Sequence, residues 1–192
     1  MPLTDWLSRI ADATGTKRSR LEDPRVLEDA VAEMWLSGTT LTHDPSVSAP
    51  PSLAQPEVNF GGVTWRRSLI SEVEYCELGG SLPHTRSPTH TPAIGVPFSV
   101  AREIARSQGG RLPTMAEWES AVAGAAPGNH GLRWGGPTVS GAFPAARSGL
   151  LDGWGNAWEW TEEGLAVGGS FASPPHPSPV ESPRLTSFRI VR

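Results

Sequence analysis

This chain of 192 residues has one Cys and five His, and these side chains form no reactive pattern. The single thiol, Cys76, excludes an intrachain disulfide, and within a predicted helix we expect it to be a small buried hydrophobe. His84 and His90 are flanked by Thr and Pro, which is typical of solvated loop residues. The sequence also lacks a G-x-S-x-G turn, a Walker loop and the Cys/His spacing of a zinc site. The residue types alone therefore predict no catalytic constellation.

Composition and charge narrow the class of protein. The chain has 21 Gly and 19 Pro, which favours a loop-rich globular fold, and its 8 Trp indicate small aromatic clusters that hold the loops. The net charge is −4 and the arginines are scattered, so no basic stripe is available for nucleic acid. The N-terminus lacks the apolar run of a signal peptide, and no later run is long enough to span a membrane. We therefore expect a cytoplasmic protein that binds neither nucleic acid nor membrane.

The first 38 residues predict two helices. Residues 4–14 place apolar side chains on one face of a short helix. Asp23 is a candidate N-cap for a second helix that has Pro24 at its first position and ends at Gly38. Its apolar stripe must be buried, either against the rest of the chain or against a protein partner or a second copy. The opposite face carries the acidic residues Glu28, Asp29 and Glu33.

Capping patterns and apolar spacing predict the remaining elements. Ser71 with Glu74, and Thr114 with Glu117, form capping boxes that begin two helices, and Ser99 is a candidate N-cap for a third. Strand-like segments lie at residues 63–65, 158–160, 165–167 and 188–191. The Ser/Thr/Pro-rich residues 39–58 predict a linker. The sequence therefore predicts an α+β fold that is irregular and rich in loops.

Several segments of the second half resemble, in the same order, the motifs of one protein family. Residues 111–119 are R-L-P-T-M-A-E-W-E, residues 149–161 are G-L-L-D-G-W-G-N-A-W-E-W-T, residues 168–171 are G-G-S-F, and residues 187–189 are S-F-R. They are similar to the R-L-P-T-E-A-E-W-E, G-L-x-D-x-x-G-N-x-W-E-W-T, R-G-G-S-[WY] and G-F-R motifs of the formylglycine-generating enzyme, or sulfatase-modifying factor, family. The resemblance implies a trimmed C-type-lectin-like domain at 59–192, after a helical segment at 1–38 and the linker at 39–58. Such motifs indicate the fold rather than the function.

The resemblance also implies a metal site that this sequence has lost. Formylglycine-generating enzymes bind Cu(I) through two cysteines after the G-G-S-[WY] turn, and the matching positions here are Ser173 and Ser178. Thiolates suit the soft Cu(I) ion, whereas hydroxyl groups neither hold it well nor form a mixed disulfide with a substrate thiol. Copper-dependent oxidation of a cysteine is therefore not expected. Ser173 and Ser178 become candidate binding residues on a loop-built face at 173–183.

A second implied site is retained in the sequence. Members of the family bind a structural Ca²⁺ at the G-N-x-W-E loop through two side chains and two backbone carbonyls. The matching positions are Asp152 and Glu159 for the side chains, and Gly155 and Ala157 for the carbonyls. Oxygen ligands on a tight glycine loop suit Ca²⁺. The alternative is that Asp152 caps a turn and Glu159 pairs with an arginine.

Three functions remain open on the sequence. The first is a non-catalytic binding or structural module, for example an assembly or virion component, that engages a protein partner or a second copy. The second is an enzyme or enzyme subunit of the same superfamily with oxygen-dependent, metal-assisted chemistry on thiols or C–S bonds. The third is an accessory subunit that regulates an active relative. The absence of both cysteines favours the first function.

Overall fold

The computed structural model describes residues 3–39, 56–85, 87–181 and 183–192. Within these ranges the chain forms five α-helices, and none of them is long and apolar enough to cross a membrane. They are α1 (Leu3–Thr14), α2 (Pro24–Leu36), α3 (Glu72–Glu77), α4 (Phe98–Ser107) and α5 (Met115–Val122), with a 3-10 turn at Arg18–Arg20. Residues 40–55 of the predicted linker lie outside the described part of the chain.

The N-terminal helices pack onto the rest of the domain. Asp23 caps α2 as predicted, because its carboxylate accepts a hydrogen bond from the backbone N–H two residues further on. Trp35 of α2 meets the ring of Phe171 edge-on, with 6.1 Å between the ring centroids. Trp6 of α1 lies on Gly135, where an added Cβ would collide with the indole ring. The apolar stripe of α2 is thus buried within this chain, in one core with α3, α4 and the sheet.

Six short strands form two sheets in the described residues. The first sheet is an antiparallel hairpin of β1 (Glu57–Phe60) and β2 (Val63–Arg66). The second contains β3 (Trp158–Trp160), β4 (Leu165–Val167), β5 (Val180–Glu181) and β6 (Thr186–Ser187), in the order β5-β4-β3-β6. Of its pairs only β3 with β6 is parallel. All of β3 is buried, whereas β5 is an edge strand at the surface.

The C-terminal segment differs from the prediction. The predicted strand at 188–191 is wrong, because the ladder with β3 ends at Ser187 and the chain then leaves that sheet. It runs beside β2 instead, where Thr64 and Arg192 exchange two backbone hydrogen bonds of 2.9 and 2.8 Å. The apolar pattern of 188–191 therefore reflects burial in the core rather than a regular strand. In this way residues 190–192 close the hairpin against the domain.

The other helices follow the sequence except at the start of α4. Both predicted capping boxes are present, at Ser71 with Glu74 in α3 and at Thr114 with Glu117 in α5. However, α4 begins at Phe98 rather than after Ser99, because the extended backbone of Pro97 occupies the N-cap position. In α3 the buried residues are Glu72 and Tyr75. Cys76 is only partly buried, so the expectation that this thiol is a core residue is wrong. A helix of six residues offers room for few inward side chains.

Glu117 combines two kinds of charge-assisted hydrogen bond at the start of α5. Its carboxylate accepts from the backbone N–H and the hydroxyl of Thr114 at 2.8 and 3.0 Å. It also accepts from both terminal nitrogens of Arg111 at 2.7 and 2.6 Å. The hydrogen bond with Arg111 is the main cause that lowers the pKa of Glu117 from 4.5 to about 2. The cap therefore ties α5 to the segment that precedes it.

Replacing Glu117 by Gln is expected to cost about 1–2 kcal/mol near neutral pH, because a cap and a partly exposed ion pair weaken together. Since the folded-state pKa is lowered, this stabilisation is present above pH 4.5 and is lost as the pH falls towards 2. In urea unfolding, the difference in free energy of unfolding between wild type and Glu117→Gln should therefore be large at neutral pH and smaller at acidic pH. Glu119→Gln, at an exposed position of the same helix, is the control. Identical acid sensitivity in wild type and Glu117→Gln would contradict this account.

Candidate functional site

The turn after β4 is built by glycine and closed by serine. Gly168 and Gly169 have positive φ angles of 88° and 79°, a conformation that favours glycine. At Gly169 a Cβ would also come within 2.7 Å of the Pro177 ring. The backbone N–H of Ser170 donates to Ser173 Oγ at 3.0 Å, and the two hydroxyl oxygens lie 3.1 Å apart. The sequence G-G-S-F-A-S thus folds into a tight loop with two adjacent hydroxyl groups.

The two serines at the expected cysteine positions lie in different environments. Ser173 is buried, with 1% of its surface exposed, whereas Ser178 is exposed on the loop that leads into β5. Hydroxyl oxygens are hard ligands, unlike the thiolates that suit Cu(I). Among the described residues no group of three or more His, Cys, Asp or Glu side chains could hold a metal ion. The residues present therefore do not fit a Cu(I) site.

A carboxylate from the N-terminal helix completes the serine cluster. Glu28 of α2 accepts hydrogen bonds on Oε1 from Ser170 Oγ at 2.6 Å and from Ser173 Oγ at 3.2 Å. The same oxygen accepts from the indole Nε1 of Trp158 in β3. The cluster therefore joins α2, the inner strand of the sheet and the serine turn through one carboxylate oxygen.

Burial leaves this carboxylate with neutral partners only. Desolvation raises the pKa of Glu28 above its ordinary 4.5, and the hydrogen bonds from Ser170, Trp158 and Ser173 oppose the rise in part. In the described part of the chain all its hydrogen bonds end on Oε1, and it forms no salt bridge. Its negative charge is thus held by dipoles and not by a cation.

Sequence reasoning missed Glu28, because it assigned this residue to the face of α2 opposite the buried stripe. A signal was present in the spacing. Glu28 precedes Val31 and Ala32 by three and four positions, and both of those residues are fully buried. Residues at such spacing are neighbours on a helix, so Glu28 borders the buried face.

Glu28 also lines a cleft of about 480 Å³ between α2 and the segment around β5. The far wall comes from residues 179–181 and 183–184, part of the loop-built face predicted from the sequence. Arg184 approaches α2 from that wall and donates to the carbonyl of Asp29 at 3.4 Å. The serine cluster therefore adjoins an open, charged cavity through the Glu28 side chain.

One of the four predicted calcium positions, Glu159, belongs to a buried ion pair. Glu159 accepts from Arg189 Nε at 2.6 Å and from Nη2 at 2.8 Å, and both side chains are at most 1% exposed. Arg189 also donates to the carbonyls of Arg67 at 2.7 Å and Leu151 at 3.0 Å. The guanidinium therefore has acceptors on several sides, and both oxygens of Glu159 are engaged by it.

Asp152 is engaged as well. Its carboxylate accepts from the backbone N–H groups of Gly141 at 2.5 Å and Phe143 at 3.3 Å, and burial raises its pKa to about 6. The carbonyl of Gly155 accepts from the N–H of Ala157 at 2.9 Å. As they lie, the two carboxylates do not fit a Ca²⁺ ion, because N–H donors and a guanidinium occupy the directions that the ion needs. Calcium binding at these four positions, which the family resemblance implies, is untested, and the observed hydrogen bonds lead us to expect none.

The Gly-Asn dipeptide of the same loop has a structural role. Asn156 Oδ1 accepts from the N–H of Thr138 at 2.9 Å, and Nδ2 donates to the Thr138 carbonyl at 3.1 Å. Gly155 packs on the backbone of Asn129, where a Cβ would overlap the carbonyl. The Asn156 carbonyl accepts from the N–H of Phe171 at 3.1 Å, which joins this loop to the serine turn. Gly-Asn pairs are typical of left-handed turns, and that signal marks this scaffold.

Comparison with protein-family models gives a match over most of the chain. The sulfatase-modifying factor enzyme 1-like domain matches residues 8–191, which include α2 and most of α1. Among curated proteins, the formylglycine-generating enzyme of Mycobacterium tuberculosis (strain ATCC 25618 / H37Rv) is 38% identical over 127 residues. The match covers 52% of this chain and 39% of that protein, so the chain spans well under half the length of this relative.

Two solved structures share the fold. PvdO from Pseudomonas aeruginosa has a TM-score of 0.52 and 19% identity, covering 75% of this chain and 88% of that one. CarF has a TM-score of 0.50 and 19% identity, covering 68% of this chain and 85% of that one. At this identity the likeness shows the fold alone. Together with the family match it confirms the predicted α+β, loop-rich fold of the sulfatase-modifying-factor type.

We expect Glu28→Gln to keep α2 in place, because the amide oxygen can accept the same hydrogen bonds without a buried charge. Since the pKa of Glu28 is raised, its contribution to stability is complete below pH 4.5 and is lost as the pH rises. The free energy of unfolding in urea should therefore rise in Glu28→Gln relative to wild type as the pH goes from mildly acidic to mildly alkaline. Glu28→Ala leaves three donors without an acceptor and should lose about 1–3 kcal/mol. A Gln variant as unstable as the Ala variant would show that α2 needs the negative charge.

Thermal melts with calcium and with a chelator test the second implied site. Because Arg189 already pairs with both oxygens of Glu159, we expect the two melting temperatures to coincide. Native-state binding at a hundredfold excess over Kd would add about 2.7 kcal/mol, which such melts resolve. A rise with calcium that is absent in Glu159→Gln, or in Asp152→Asn if the first variant is too unstable, would show that the ion displaces the guanidinium.

Proposed function

The chain belongs to the sulfatase-modifying factor enzyme 1-like family, and we propose that it is a non-catalytic binding module of that family. The observation that supports this proposal is the state of Ser173. Its hydroxyl is buried and contacts Ser170 and Glu28, at the position where the family resemblance places a copper-binding thiol. A hydroxyl group lacks the softness that Cu(I) needs and cannot exchange with a substrate thiol.

Access to the serine turn supports the same proposal. Glu28 contacts both hydroxyl groups of the turn, and Trp35 packs against Phe171 between them. These two residues belong to α2, whose apolar side chains are part of the domain core. Ser173 is buried beneath Glu28, so a substrate cysteine could reach it only if the folded domain rearranged. Chemistry and access therefore both oppose a reaction at this position.

The cleft between α2 and residues 179–181 and 183–184 is the surface that we assign to a partner. Its lining mixes arginine, acidic and apolar side chains, which suits a polypeptide better than a nucleic acid. The apolar stripe of α2 is buried within the chain and is not available for this purpose. An accessory subunit would use the same cleft, with an active relative as its partner.

The purified protein is expected to bind no Cu(I) tightly and to leave the cysteine of a sulfatase-type peptide unchanged. Competition with a Cu(I) chelator measures the first, and mass spectrometry for the aldehyde product measures the second. The formylglycine-generating enzyme of Mycobacterium tuberculosis is the positive control. Aldehyde that forms with this protein and is lost in Ser173→Ala would overturn the proposal and favour the enzyme hypothesis.

A further inference from the structure

We propose that the cleft between α2 and residues 179–181 and 183–184 binds a lysine side chain of a polypeptide partner, with the ammonium group on Oε2 of Glu28. This inference rests on the proposed function, because it names the class of ligand for the same cleft. The cleft measures about 480 Å³, which is room for a long side chain and for the backbone beside it.

The two oxygens of Glu28 are in different states. Oε1 accepts three hydrogen bonds, from Trp158, Ser170 and Ser173, which use its lone pairs fully. Oε2 has no hydrogen-bond partner among the described residues, and it is not one of the polar atoms sealed from solvent. A donor that enters the cleft can therefore reach this oxygen and satisfy it.

The missing partner is a cation with a single point of contact. Glu28 is ringed by neutral donors, so a positively charged donor adds Coulomb attraction to its hydrogen bond. A guanidinium makes its best contact with both oxygens of a carboxylate, and Oε1 is already occupied. An ammonium group is a compact charge that one oxygen can hold. The geometry therefore favours lysine over arginine.

The walls of the cleft suit the rest of a lysine residue. Pro179, Val180 and Pro183 supply apolar surface along the far wall. The methylene stem of lysine packs on such surface while its charged head reaches a polar group. These three residues lie opposite the helix that presents Glu28, so the stem and the head are served by different walls.

The charges of the lining also favour a cationic ligand. The acids Glu28, Asp29 and Glu181 stand against Arg25 and Arg184, which leaves a net charge of −1 when all five are ionised (three acids against two bases). The two arginines offer donors for backbone carbonyls or acidic neighbours in the partner segment. A lysine next to polar or acidic residues is therefore the sequence that matches this surface.

The test uses the full chain and a capped pentapeptide, acetyl-Ala-Ala-Lys-Ala-Ala-amide, in an NMR titration at low ionic strength. We expect saturable binding that is about tenfold weaker or worse in Glu28→Gln, since this variant removes the charge and keeps the acceptor oxygen. The same loss is expected when the peptide lysine is acetylated, because acetylation removes its charge and keeps its stem. Glu119→Gln makes the same change of charge on α5, outside the cleft, and should bind as wild type does.

Several results would overturn the inference. They are the absence of saturable binding by wild type, equal affinity for the lysine and acetyl-lysine peptides, and unchanged affinity in Glu28→Gln. Urea unfolding checks that Glu28→Gln is folded. If it is not, Asp29→Asn on the rim of the cleft replaces it in the titration, with a smaller expected loss of affinity. Each of these results leaves the non-catalytic proposal intact. Conversely, aldehyde formation that depends on Ser173 would remove that proposal and leave the lysine titration to be judged on its own.

Discussion

Distant parts of the chain meet at the guanidinium group of Arg189, which pairs with Glu159 of β3 and donates to the carbonyls of Arg67 and Leu151. A buried ion pair adds little net stability over apolar packing, but loss of either partner leaves an uncompensated charge and costs about 3–5 kcal/mol. The main effect of the pair is therefore to fix the relative positions of the segments that it contacts. It joins the inner strand of the sheet, the exit of the hairpin and the loop before β3 in one arrangement. The same strand carries Trp158, which donates to Glu28 beside the serine turn.

Glu28 is a second desolvated carboxylate, but unlike Glu159 it has no cationic partner among the described residues. Glu159 is compensated by a cation inside the fold, whereas Glu28 is held by two hydroxyl groups and an indole N–H. A carboxylate that has its counter-ion belongs to the scaffold. A carboxylate that lacks a counter-ion and lines a cleft can attract a cationic ligand, which then supplies the counter-ion. Ser173 lies where the family resemblance places a metal-binding thiol. Its hydroxyl instead donates a hydrogen bond to Glu28 of α2.

What the sequence could predict was the part that depends on near neighbours. The cap of α2 at Asp23 and the boxes at Ser71 and Thr114 involve residues two or three positions apart, and all three are present. The apolar pattern of 188–191 could not distinguish a strand from an irregular buried segment. The contacts of Glu28 could not be predicted, because Ser170 lies 142 positions further along the chain. Motif order located the serine turn, but only the fold shows which helix covers it.

The sequence separation of the contacts of Arg189 has a consequence for how the domain folds. Arg67 lies 122 positions before it, and Thr64 pairs with Arg192. On the ribosome, the hairpin and β3 are synthesised before the segment that closes them, so Glu159 emerges without its counter-ion. Contacts of such long range slow folding. Until residues 188–192 are synthesised, the nascent domain therefore leaves apolar surface uncovered, on which chaperones can act.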